Sequence, residues 1–161
     1  MYDCCYDYCC IVGETGPTGP AGPSSELSGI QLQLVGSANG IIQVNQPVIF
    51  DSTINVQSPT IGYNPTNGEF TINSAGNYFV SWWVASEGSD MNNLLQFSVV
   101  ANTLGNASGD TPLVTGQVSG TALISATSTP TLLQLRNTSA NNITLARTPV
   151  QANIVILQVS S

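Results

Sequence analysis

The chain has 161 residues, 42% of them hydrophobic, which is enough for one domain with a buried core and a tail. Nine acidic residues and two arginines, Arg136 and Arg147, give a formal net charge of -7, with no lysine and no histidine. This composition argues against a nucleic-acid or anionic-membrane partner, which needs a clustered basic surface, and against an enzyme, since the commonest general base and amine nucleophile are missing.

Residues 1–12, with the sequence MYDCCYDYCCIV, form a Cys/Tyr-rich tail. Its apolar contact area comes from Tyr2, Tyr6 and Tyr8, followed by an Ile-Val pair, while two aspartates keep the segment polar. Aromatic anchors on a short peptide are typical of a segment that docks into a pocket. We therefore predict an N-terminal connector; the alternative is a disordered terminus, the common fate of first residues.

The four cysteines all lie in this tail, at Cys4, Cys5, Cys9 and Cys10. Adjacent cysteines have Cα atoms about 3.8 Å apart, below the disulfide range that begins near 4.4 Å, so neither neighbouring pair should close on itself. Bridges within the peptide, between associated copies of the chain or between successive assemblies of such copies remain open. A Cys4 zinc site is the rival interpretation, but the spacing lacks the usual gap within each pair, and we predict no metal and no cofactor.

The first residues carry no basic segment and no apolar core of the kind that secretory signal peptides have. No apolar stretch reaches about 18 residues, so no membrane span is predicted either. We therefore expect synthesis in a cytoplasm, where the thiols start reduced and are oxidised later.

Residues 13–24 are four consecutive Gly-X-Y triplets, with Gly13, Gly16, Gly19 and Gly22 in phase. Only glycine fits the axis where three polyproline-II chains meet, so this run predicts a collagen-like spacer shared by three copies of the chain. Its twelve residues would extend over roughly 37 Å. Four triplets cannot hold a triple helix together unaided, and a plain flexible linker is the alternative.

Residues 25–161 show short alternating or β-branched runs separated by Gly, Pro, Asn and Asp, which predicts an all-β sandwich. The pairs Asn39-Gly40 and Asn67-Gly68 predict tight turns. The predicted strands cover residues 30–35, 41–44, 48–51, 53–56, 69–73, 77–86, 94–102, 113–118, 122–126, 132–137, 142–146 and 153–159.

Some runs indicate how the strands are covered. Residues 30–34 alternate apolar residues with glutamines, as in a strand with one buried face. Residues 99–100 and 154–157 are continuously apolar, which predicts that both faces of their strands are covered. The opposite sheet would cover one face, and a neighbouring subunit would supply the second cover. Trp82 and Trp83 are adjacent, so one should lie in the core and the other at a sheet surface or a subunit contact.

Isolated polar residues in the β region are predicted to be structural. Five acids are interpreted as turn formers or solvated loop residues, namely Asp51, Glu69, Glu87, Asp90 and Asp110. Three asparagines match the N-glycosylation pattern and are interpreted as loop residues, namely Asn106, Asn137 and Asn142.

Residues 68–85, GEFTINSAGNYFVSWWVA, resemble a motif of the C1q/TNF-like jelly-roll superfamily. Its pattern is Gly-x-Phe followed by Gly-x-Tyr-x-Phe or Val, and Gly68, Phe70, Gly76 and Tyr78 stand at the matching positions. Residues 135–157 look like the closing strands of that fold. The resemblance covers residues 29–161 and implies an all-β, homotrimeric jelly-roll head with an extended N-terminal tail.

A collagen-like run before such a head is similar to the BclA-like collagen glycoproteins of the Bacillus exosporium. Those relatives have a longer collagen region and a targeting leader, where this chain has the Cys-rich tail. A Cys-bearing connector is more similar to the F-type endospore appendage (Ena) fibres, which are made of stacked C1q-like trimers.

The resemblance implies a fibre subunit on the bacterial spore surface, in the exosporium or an appendage, made in the mother-cell cytoplasm. Its main partner would be itself, as a homotrimer and a head-to-tail polymer, with a further protein that anchors or tips the fibre. The alternative is a trimeric binding or adhesion module for a glycan or host-surface ligand, tethered by the collagen-like stalk.

Overall fold

The computed structural model describes residues 27–36, 40–89, 94–102, 106–112 and 115–160, which we call the head. All regular structure in these ranges is β-strand, arranged in two antiparallel sheets. This confirms the predicted all-β class.

Sheet A contains seven of the described strands. They are β1 (Gly29–Leu34), β2 (Ile41–Ile42), β3 (Ser52–Val56), β6 (Gly76–Ser89), β9 (Gly116–Ala126), β11 (Ile143–Leu145) and β12 (Ala152–Ser160). The long strand β6 is central: it pairs with β9 along one edge, and with β12 and then β11 along the other. β1 lies between β12 and β3, and β2 pairs with β11.

Sheet B contains five described strands in the order β4-β5-β10-β7-β8. They are β4 (Ile61–Asn64), β5 (Glu69–Ile72), β7 (Leu95–Ala101), β8 (Ala107–Thr111) and β10 (Thr131–Asn137). The turn between β4 and β5 contains the predicted Asn67-Gly68 pair, with Gly68 at φ 68° and its N–H bonded to Asn64 O at 2.9 Å. Glycine takes this positive φ without steric cost.

The head has two distinct ends, which the register of β1 defines. Gly29 pairs with Leu157 at one end, which we call the base, and Leu34 pairs with Ala152 toward the other, which we call the distal end. At the base, Gln158 N donates to Ser28 O at 2.8 Å. The first and the last described residues of the head therefore lie together at the base.

The core lies between the sheets and follows the two-residue period of the strands. In β6, Tyr78, Val80, Trp82 and Val84 point inward and are buried. The large ring of Trp82 occupies space left by glycines on two edge strands. A Cβ on Gly120 of β9 would overlap the indole, and one on Gly109 of β8 would lie 2.8 Å from it.

Asn137, at the end of β10, is a fully buried polar residue that joins three segments. Its side-chain amide donates to Ile42 O and to Asn141 O, each at 2.9 Å, and its Oδ1 accepts from Ser139 N at 3.0 Å. The interpretation of Asn137 as a loop residue is therefore wrong. Asn106 and Asn142 do lie outside the strands.

Most predicted strands are present, with four differences. β4 and β8 were not predicted, and the predicted strands 113–118 and 122–126 overlap a single strand, β9. Residues 48–51 do not form a strand, because they cross from one sheet to the other. Val48 N donates to Leu135 O of sheet B at 2.7 Å, whereas Asp51 N donates to Gln33 O of sheet A at 3.1 Å.

The scattered acids take more varied positions than predicted. Glu69, Glu87 and Asp110 lie within strands β5, β6 and β8, so their interpretation as turn or loop residues is wrong. Asp51 lies between strands, and its Oδ1 accepts from Val35 N at 2.8 Å. Asp90 lies outside the described residues.

Tyr63, in strand β4 of sheet B, binds the backbone of residues 48–51, the segment that crosses between the sheets. Its hydroxyl accepts from Phe50 N at 2.7 Å and donates to Phe50 O at 3.1 Å, and its ring lies 4.7 Å from that of Phe70. Burial raises the pKa of Tyr63 from 10.0 to about 12; the bond from the Phe50 backbone opposes this and the charge of Asp51 adds to it. The neutral phenol is therefore the form that the fold holds.

This shift predicts a loss of stability at alkaline pH. The folded-state pKa lies above that of the unfolded chain, so the contribution is fully present below pH 10 and is lost between pH 10 and about 12. We expect Tyr63→Phe to cost about 1 kcal/mol near neutrality and to flatten the decline in that window. Denaturant unfolding as a function of pH measures both effects; an equally steep decline in the variant would contradict the assignment.

Candidate functional site

The first candidate site is the solvent side of sheet A, where three rows of side chains cross β1, β12, β6 and β9. Strand pairing aligns Leu157, Phe79 and Leu123 in the row nearest the base. The next row is Gln31, Val155, Ser81 and Thr121, and the third is Gln33, Asn153, Trp83 and Ser119. We call these three rows the outer face.

The row nearest the base is apolar and open to solvent in the single chain. Leu123 is 78% exposed, although it stands directly beside Phe79 on the neighbouring strand. Phe79 and Leu157 are half-buried, as is Val155 in the next row. Among the described residues of one chain, none supplies the predicted second cover for residues 154–157, and the face is suited to a partner molecule.

Apart from Val155 and Trp83, the rest of the outer face is polar, and none of it is charged. Asn153 Oδ1 accepts from the side-chain amides of Gln31 at 2.9 Å and Gln33 at 3.3 Å. No Asp, Glu or Arg belongs to the three rows, so two copies of the face would not repel each other. Trp83 lies on this face and Trp82 in the core, which confirms the opposite placement predicted for the two tryptophans.

A second candidate site is a cleft of about 700 Å³ near the distal end, which we call the distal cleft. Its walls come from separate parts of the chain: the end of β1, the β2 region, the segment around Pro47, the β4–β5 turn, β10 and β11. Ile41 and Ile49 give it exposed apolar surface, at 59% and 37% exposure. Asn, Gln and one arginine supply the polar part.

That arginine is Arg136, whose orientation is fixed by a neighbouring amide. Its Nε and one terminal nitrogen both donate to Gln134 Oε1, the former at 2.8 Å, and Gln134 in turn donates to Asn67 O at 2.8 Å. None of the described residues that line the cleft carries a carboxylate. The other arginine, Arg147, is 91% exposed and pairs with Glu87 at 3.5 Å.

The site residues predicted from the sequence lie outside the described residues. These are the connector residues Cys4, Cys5, Cys9, Cys10, Tyr2, Tyr6 and Tyr8, and the collagen-like Gly13, Gly16, Gly19 and Gly22. Both sites described above were missed as residue sets, although the apolar run 154–157 and Trp83 indicated part of the outer face.

Two other kinds of site are absent from the described ranges. No three His, Cys, Asp or Glu side chains there are grouped so that they could hold a metal ion. No helix in the same ranges has the length and hydropathy to cross a membrane. That the chain is not an enzyme and needs no cofactor stays a prediction.

No family model matches the sequence, and no curated protein matches it. Solved structures do resemble the head. The globular domain of zebrafish complement 1qA protein has a TM-score of 0.60 at 16% identity, covering 83% of this chain and 98% of that chain.

Two further similar structures belong to animal proteins. Murine APRIL at pH 5.0 has a TM-score of 0.63 at 10% identity, covering 83% of this chain and all of that one. Eiger TNF from S. frugiperda has a TM-score of 0.58 at 11% identity, with 83% and 92% covered. At these identities the likeness concerns the fold alone: the head is a C1q/TNF-like jelly roll.

Proposed function

We propose that this protein is a structural subunit of a spore-surface fibre, in which three heads form a trimer and successive trimers stack head to tail through residues 1–12. The observation that carries the proposal is the uncharged outer face, with an apolar row exposed in the single chain. The fold and the order of tail, Gly-X-Y run and head support it.

Association through the outer face would form the trimer. The row of Leu157, Phe79 and Leu123 would lose its solvent contact, which is favourable in proportion to the apolar area removed from water. The amides of Gln31, Gln33 and Asn153 would form a polar margin beside it. Three copies, rather than two, agree with the Gly-X-Y run, which needs three chains around one axis.

Stacking would use the two different ends of the head. The chain enters the head at the base, so three spacers and three tails would leave a trimer there. A tail that binds the distal end of another trimer makes a heterologous contact, and such a contact gives an open polymer when it does not close into a ring. Oxidation of the thiols of Cys4, Cys5, Cys9 or Cys10 to disulfides between trimers would then make the polymer covalent, with the two electrons and two protons of each bridge passing to an external oxidant such as dioxygen.

Deleting residues 1–12 should abolish the fibre and leave the trimer intact, because the heads keep their outer faces. Electron microscopy and light scattering of the full chain and the deletion variant would measure this. We expect filaments from the full chain and discrete trimers from the variant. Filaments of normal length from the variant, or discrete trimers from the full chain, would contradict the proposal; the latter result would favour the adhesion module.

The location on a bacterial spore, with synthesis in the mother cell and a separate protein at the fibre's anchor or tip, is part of the same proposal. It is supported by the resemblance of the tail, spacer and head to the F-type appendage subunits. Immunogold labelling of intact spores with antibody against the head tests it directly. Label confined to the medium or to vegetative cells would contradict it.

A further inference from the structure

We propose that the distal cleft is the receptor for residues 1–12 of a chain in the next trimer, with Arg136 pairing with Asp3 or Asp7. This inference rests on the proposed head-to-tail fibre and assigns its receiving site. The occupant is a segment of this same protein, and the cleft and the tail match in charge, in apolar character and in position.

The charge match starts from Arg136, the only described cation without a carboxylate partner. Its two bonds to Gln134 hold the guanidinium in one orientation, and a guanidinium carries five N–H donors, so further donors remain for an anion. Four of the chain's nine acids fall within residues 1–26, and no cation does. The tail is thus an acidic peptide, and the cleft offers a fixed cation suited to bind a carboxylate.

The apolar match concerns the tyrosines. Ile41 and Ile49 are exposed in the cleft, and Leu34 and Leu145 also line it. Tyrosine presents an apolar ring and a polar hydroxyl, which suits a wall of isoleucines beside Asn and Gln side chains. A cleft of about 700 Å³ is within the range that holds a drug-sized ligand, so it would take a few side chains of the tail and not all twelve residues.

The position of the cleft fits a contact between trimers. It lies near the end of the head opposite to the one from which the tail leaves, and it shares no residue with the outer face, so trimer formation would leave it open. Residues 13–26 can extend to about 50 Å at most. A collagen-like spacer would extend away from its own head and toward the distal end of the next head.

Charge reversal in the full-length chain tests the pairing from both sides. One variant carries Arg136→Glu in the head, and a second carries both Asp3→Arg and Asp7→Arg in the tail. Each variant should raise the protein concentration needed for filaments about tenfold or more. Combining all three changes should bring that concentration back toward the parent value. The tail changes lie outside the head, so their effect does not depend on whether the head tolerates Arg136→Glu.

Arg147→Glu is the matched control, because it reverses the only other cation, which is exposed and outside the cleft; it should polymerise like the parent. Filaments from Arg136→Glu or from the tail variant at the parent concentration would overturn the inference, as would failure of the combined variant. If deletion of residues 1–12 abolishes filaments while Arg136→Glu does not, the proposed fibre stands and the cleft assignment fails. If the parent chain forms no filaments, the proposed function itself fails.

Photo-crosslinking from position 6 locates the docked tail independently. With a photoreactive phenylalanine analogue in place of Tyr6, filaments should give crosslinks to residues 41–49 or 134–136. Crosslinks to the outer face would overturn the inference. The same crosslinks below the polymerising concentration would mean that the tail occupies its own trimer, and would overturn it as well.

Discussion

A Leu123→Asp variant should fold like the parent chain but remain a monomer. In the single chain this side chain is 78% exposed, so the change should alter the stability of the fold by no more than about 0.5 kcal/mol. In a trimer closed through the outer face, each copy would bury an unpaired carboxylate beside Phe79, at a cost of about 3 kcal/mol or more per chain. The dissociation constant should rise about a hundredfold for each chain affected.

Analytical ultracentrifugation over a concentration series measures this, with thermal unfolding to verify the fold. Leu94→Asp is the matched control, since Leu94 is also an exposed leucine, at 45%, but lies next to sheet B and away from the outer face. The control should remain trimeric. A trimeric Leu123→Asp variant would show that the association uses another surface.

Asn137→Asp should be strongly damaging to the fold itself. The two shapes are nearly the same, but a carboxylate has no N–H to donate to Ile42 O and Asn141 O. Both carbonyls would face a buried negative charge. We expect the free energy of unfolding to fall by about 3–5 kcal/mol at neutral pH, with partial recovery in acid, where the protonated carboxyl can donate one bond.

Asn142→Asp provides the comparison, because this asparagine is exposed and its Oδ1 only accepts, from Val44 N at 3.1 Å. A carboxylate can replace it there, so denaturant unfolding should show little change. If both variants lose the same stability, the buried amide of Asn137 is not the cause. The burial of Asn137 also predicts that this asparagine cannot carry a glycan in the folded head.

The parts of the fold predicted from sequence are those where burial imposes a pattern. The alternation in residues 30–34 and the apolar run 154–157 identify β1 and β12, because one or both faces of these strands must be covered. β4 and β8 carry Gly, Asn, Ser and Asp, because edge strands need less apolar surface, and so they have no such pattern. Gly120 led to the prediction of two separate strands where β9 is continuous. In the structure, the absence of a side chain at this glycine leaves space for Trp82.

The candidate sites depend on register and on distant segments, which the sequence does not display. Phe79, Leu123 and Leu157 form one row only because β6 pairs with β9 and β12 in the observed alignment. The distal cleft is assembled from six parts of the chain. Nothing near Arg136 in the sequence predicts that this arginine has no carboxylate partner among the described residues. The composition shows only that cations are rare in this chain, with two arginines and no lysine or histidine.

The described part of the chain begins at the base, where residues 1–26 join the head, and this would give any filament of the proposed trimers a direction. One end of the filament would present free acidic tails, and the other would present empty clefts with Arg136. In the proposed fibre, a protein that fixes the filament to the spore would therefore supply either a cleft or a tail, according to the end it holds. Growth at the two ends would likewise differ in rate, since one end adds a trimer by capturing tails and the other by offering them.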